Sequence, residues 1–183
     1  MKRLVPSFGP RLLPRMLAIA LVGALVAGTY GVFHDQVTYS ISPEYFTRMK
    51  FHQFAAADFG FPERVLVGEI GFLGTWWVGL ISGWFLARIA VPAWPARQAS
   101  RMCLAGFSIL MASALAFGII GSFLRAHHFG LTAHWRKMCL GNGVEDVAGF
   151  VQVAYIHYGG YLGGVLGLVM AIFFLEQRKK RRF

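Results

Sequence analysis

GFVQVAYIHYGGYLGGVLGLVMAIFFL, residues 149–175, decides the fold. It holds no charged side chain, and its one imidazole is His157. At ~1.5 Å rise per residue a helix of this length covers ~40 Å, more than the ~30 Å hydrocarbon core of a bilayer. Three more apolar runs stand at residues 102–124, 65–90 and 16–33. A lone apolar segment in lipid must satisfy its own backbone hydrogen bonds, so each run is expected to be helical. The chain is 56% hydrophobic and only 14% charged, and it carries 22 glycines, which membrane helices tolerate better than soluble ones. The expected fold is all-α: an integral membrane four-helix bundle, read as a single transmembrane domain over residues 1–183. Outer loops are expected at 34–64 and 125–148, the first carrying a short interfacial helix.

The charges give the bundle a direction. Lys2, Arg3, Arg11 and Arg15 precede the first run, Arg88, Arg97 and Arg101 flank the connection between the second and third, and Arg178, Lys179, Lys180, Arg181 and Arg182 follow the fourth. These are twelve of the 18 basic residues. The positive-inside rule puts both termini in the cytoplasm of a bacterial inner membrane. All six histidines and seven of the eight acidic residues then fall on the outer side. A net charge of +10 would suggest nucleic acid in a soluble protein, but here it reads as topology signals resting on membrane lipids. Nucleic acid is not expected as a partner. The first run reads as a retained anchor rather than a signal peptide, because it is long for that role and Ala24, Ala27 and Gly28 make a loose cleavage pattern. Cys103 and Cys139 are expected a membrane thickness apart, beyond disulfide reach.

The outer segments carry the irregular structure. Val37, Tyr39 and Ile41 alternate with Thr38, Ser40 and Ser42, which predicts a short extended stretch. Ser42-Pro43-Glu44 reads as a helix start, with serine as cap and proline in the first turn. Tyr45, Phe46, Met49, His52 and Gln53 would then share a face, leaving Arg48 and Lys50 off it. Gly141-Asn142-Gly143 signals a turn, and Glu145 and Asp146 suit the start of the last helix. Gly71, Gly74, Gly79 and Gly83 mark the second span, and Gly159, Gly163 and Gly167 the fourth, so these two are expected to form the central contact. Gly71-Phe72-Leu73-Gly74 and Gly160-Tyr161-Leu162-Gly163 hint at a duplicated half.

Ionisable groups inside a membrane are costly and tend to face protein or water. His34 and Asp35 end the first span, Glu69 lies just inside the second, His127 and His128 end the third, and His157 lies about eight residues into the fourth. Imidazole and carboxylate together suit a metal ion or a small polar ligand, with Glu44 close by. The plainer readings are an ion pair of Glu69 with Arg64 or Arg125, and a buried His157 satisfied by Tyr155, Tyr158 or Tyr161. Neighbouring residues diverge on a helix, so the pairs 34/35 and 127/128 are not expected to face one ion. Two alternatives remain: an accessory subunit docking other membrane subunits through glycine faces, and a b-type haem protein with two histidine ligands. P-loop, dinucleotide, nucleophile-elbow and H-E-x-x-H motifs are absent. No residue pattern assigns an enzymatic reaction.

The stretch His34-Asp35-Gln36-Val37-Thr38-Tyr39-Ser40-Ile41-Ser42-Pro43-Glu44-Tyr45-Phe46 resembles a segment of uncharacterised bacterial multipass membrane proteins. Those proteins are similar also in a glutamate early in the second span and a histidine in a glycine-rich last span, matched here by Glu69 and His157. The resemblance implies no activity, but it marks residues 34–46 as a site component.

Overall fold

A computed structural model of the chain describes residues 9–126 and 133–181, and it contains helices and no strand among them. Helix α1 spans Leu13–Ile41. A short helical connection follows: α2 (Pro43–Tyr45), a π turn (Phe46–Lys50) and α3 (Phe51–Gln53). Then come α4 (Glu63–Ala93), α5 (Ala96–Ala126), α6 (Ala133–Gly141) and α7 (Val147–Lys180). Four of these, α1, α4, α5 and α7, are long and apolar enough to cross a membrane. The molecule is thus an all-α, multipass bundle, as the hydropathy predicts.

Backbone contact between small residues organises the bundle. A Cβ on Gly31 would run into the carbonyl of Gly71, and one on Gly79 into the carbonyl of Gly23, so α1 and α4 touch main chain to main chain. In the same way Gly159 lies against the carbonyl of Phe117 and Gly121 against that of Tyr155, which joins α5 to α7. The two helices of each pair run antiparallel. The expected central contact of the second and fourth spans is therefore corrected: α1 pairs with α4, α5 with α7, and the two pairs meet more loosely along α4. The reason lies on the partner helices. Gly23, Gly28 and Gly31 on α1, and Gly118 and Gly121 on α5, provide the second small-residue surface that close approach needs. The two matching tetrapeptides are not equivalent, since Gly71 is a contact point while Gly160 has only a distant neighbour.

The connections depart from the pattern reading in two places. Residues 37–41 continue α1 instead of forming an extended stretch. Thr38 and Tyr39 are buried there, and Thr38 Oγ1 donates to the carbonyl of His34, so packing overrides local β propensity. Proline opens α2 as expected, but the Ser42 hydroxyl makes no capping bond and is buried with no partner among the described residues. Asp146 does cap its helix, accepting from the Gly149 amide at 2.9 Å. The expected turn at 141–143 is present, and Gly143 takes the left-handed conformation there (φ +65°).

Each end of the bundle has its own core. At the end carrying the 42–62 connection and α6, Tyr39, Tyr45, Phe46, Val67, Trp135 and Phe150 pack together. At the opposite end, near the chain termini, Leu86, Ala90, Trp94, Cys103, Phe107 and Leu175 do so. Cys139 belongs to the first cluster and Cys103 to the second, and both are free thiols.

Candidate functional site

Three segments bring one polar group each to a common point just inside the first of these ends. From α1 comes Asp35, from the π turn Lys50, and from α7 His157, with residue exposures of 3%, 8% and 3%. Lys50 Nζ donates to Asp35 Oδ2 at 3.0 Å and lies 3.1 Å from His157 Nε2. His157 Nε2 is in turn 3.1 Å from Asp35 Oδ1. The other ring nitrogen settles the tautomer. His157 Nδ1 lies 2.9 Å from the Val153 carbonyl, which can only accept, so Nδ1 carries a proton. Neutral His157 therefore presents the Nε2 lone pair to the lysine, and protonated His157 donates from Nε2 to Asp35.

Aromatic rings wall this centre. Tyr45 stacks on His157 at 5.0 Å, Phe46 and Tyr161 approach it edge-on, and Lys50 Nζ sits 5.2 Å from the Phe46 ring. Burial pushes the Tyr45 phenol up, so it stays protonated. Of the tyrosines expected to satisfy His157, Tyr161 meets its ring edge-on and Tyr155 and Tyr158 lie against Trp135; the polar partners of His157 are Val153, Asp35 and Lys50.

His34 lines one edge. Its ring meets His157 edge to face at 4.9 Å and stacks on Tyr30 at 5.5 Å. His34, Asp35 and His157 each offer a donor atom, and these atoms lie within 4.8 Å of one another. Residues 34 and 35, not expected to face one ion without a bend in the helix, both bring an atom to this group. The His34 and His157 rings are in contact, so this pair leaves no slot between them for a macrocycle.

The other expected residues fall elsewhere. Glu69 is outside the cluster: among the described residues it has no ion pair, and its buried Oε2 has no hydrogen-bond partner. Arg64 does not pair with it, since its guanidinium binds Gln36 and Ser40 and covers the Tyr39 ring at 4.5 Å. Glu44 uses both carboxylate oxygens on main chain, accepting from the amides of Glu145 (3.0 Å) and Asp146 (2.7 Å). It ties the connection to the start of α7 and so holds Tyr45 and Lys50 over His157. His127 and His128 lie outside the described residues. Burial raises the Cys139 thiol, with Glu44 adding to the effect, so that sulfur is not an activated nucleophile.

Lys50 is the residue that pattern reading missed. On an ordinary helix it would lie off the apolar face of Tyr45, Phe46 and Met49. The π turn over Phe46–Lys50 widens the spacing and turns Lys50 inward beside Tyr45 and Phe46, all three buried. Such turns are rare and frequent at functional sites. No signal in the sequence announces one.

Comparison with protein-family models, curated proteins and solved structures finds no significant match to this chain.

Proposed function

We propose that this multipass membrane protein binds a divalent transition-metal cation through His34, Asp35 and His157, on the outward side of a bacterial inner membrane. One observation carries the reading: donor atoms of two imidazoles and a carboxylate, drawn from two membrane-crossing helices, gather within 4.8 Å of one another. Ligand atoms held at ~2.0–2.2 Å from one ion stand up to ~4.4 Å apart, so a small side-chain adjustment suffices. The second shell supports the reading as well. His157 donates Nδ1–H to the Val153 carbonyl, the arrangement that fixes a metal-binding histidine and leaves Nε2 free to ligate. Two imidazoles and one carboxylate suit zinc, iron or manganese and leave coordination positions for water or a substrate. The cytoplasmic placement of both termini rests on the basic residues that flank the spans.

Metal analysis of the purified, detergent-solubilised chain tests this. Bound metal is expected in the native protein and is expected to fall in His157→Ala and in Asp35→Asn. Equal metal content in all three proteins, with intact folding, would overturn the reading.

A further inference from the structure

Lys50 occupies the place that a bound cation would need. Its Nζ is 3.0 Å from the Asp35 carboxylate and 3.1 Å from His157 Nε2, the same two groups assigned above as ligands. An ammonium that donates to the Nε2 lone pair and a divalent ion that takes it exclude each other, and both draw on the same carboxylate. Their charges repel across a buried, weakly screened space, and Nε2 has a single lone pair to give. We propose that Lys50 is a tethered competitor, an internal cation that holds the site closed and swings out when a metal ion enters.

Three features of the fold fit such a device. The lysine is part of the chain, so its concentration at the site never falls, and an incoming ion must outcompete it. The lysine sits at the end of a π turn, a helical register that can relax to an α turn and carry the side chain away from Asp35 and His157. Glu44 anchors the start of the same connection to the amides before α7, while α3 and the following residues reach solvent, so the segment has one fixed end and one freer end. Metal binding would therefore be coupled to the shape of the 46–53 segment, the surface above the site. Charge supports the exchange: the resident ammonium keeps Asp35 paired in the metal-free protein, and the ion replaces that pairing.

This inference rests on the metal reading, and the experiment separates the two. Zinc and cobalt(II) are titrated into the full-length chain in detergent, as native protein, Lys50→Met, Lys50→Gln, Lys50→Arg and Lys50→Met/His157→Ala. A native site whose lysine-out state is ~1–10% populated loses ~10–100-fold in apparent affinity. Both neutral variants are therefore expected to bind ~10–100-fold tighter than the native chain, Lys50→Arg no tighter, and the double variant to lose the gain. Hydrogen exchange on the native chain gives a readout that needs no variant: amides of residues 46–53 are expected to exchange faster with zinc present. Equal affinity in native, Met and Gln proteins, or unchanged exchange over 46–53 at saturating zinc, would overturn the lysine exchange while the ligand set stands. Absence of His157-dependent metal binding in the native and both neutral variants would overturn the ligand reading itself.

Discussion

The two ends of this bundle are built by opposite means. Near the chain termini, Leu86, Phe107, Ala171 and Leu175 pack in an apolar core. At the other end α7 delivers His157 instead, and α1 delivers Asp35, among aromatic rings. Apolar packing loses stability in proportion to what is removed. A buried ionic group behaves differently, because removing one partner strands the other. The first end tolerates gradual change, and the second holds together only as a set.

The strongest way to break that contrast is Asp35→Ala. It leaves the Lys50 ammonium buried without its carboxylate, and a loss of ~3–5 kcal/mol is expected. Thermal unfolding in detergent measures it. The paired change Asp35→Asn/Lys50→Met is expected to cost less than Asp35→Asn alone, a non-additivity that a double-mutant cycle would read. Simple addition of the two losses would mean that the groups do not form a unit. At the apolar end, Leu86→Ala is expected to cost ~2–5 kcal/mol with no such coupling to Leu175 beyond shared packing.

Helix pairing offers the next comparison. Gly71→Ala pushes a Cβ into the Gly31 backbone and is expected to destabilise by ~1–3 kcal/mol. Gly74→Ala, one turn on, meets nothing within 4 Å and is expected to be neutral or slightly stabilising. Equal effects at the two positions would break the α1–α4 pairing. Glu44→Gln keeps the shape but removes the charge from two hydrogen bonds, and a loss of ~1–2 kcal/mol is expected, with faster hydrogen exchange at the Glu145 and Asp146 amides.

The smallest effect concerns pH. The folded protein holds the Tyr45 phenol above its ordinary range because burial disfavours the phenolate. A group whose folded pKa is raised contributes stability that is complete below its unfolded value and falls as pH rises past it. Tyr45 should therefore add to a loss of stability above about pH 10, the ordinary tyrosine value. Tyr45→Phe is expected to flatten that part of the alkaline stability curve, measured by unfolding at graded pH.

Part of this architecture is legible in the linear chain, for definite reasons. Four apolar runs must become helices in lipid because their backbones have no other partner for hydrogen bonds. The costly burial of ionisable groups points, from residue type and depth alone, to Glu69 and His157, with Asp35 only a candidate at the end of the first span; of the two deep groups His157 lies in the cluster and Glu69 does not. Composition could not say which glycine surface meets which, because that depends on complementary small residues on two helices at once, as at Gly31 and Gly71. Nor could it say that residues 37–41 stay helical, that Glu44 is spent on the main chain, or that Glu69 stands apart from Asp35 and His157. Least of all could it place Lys50, whose inward turn depends on one extra residue in a helical turn and on a carboxylate and an imidazole waiting 15 and 107 positions away. Hydropathy is a property of single segments and survives in the linear chain; the meeting of Asp35, Lys50 and His157 exists only once three segments are packed.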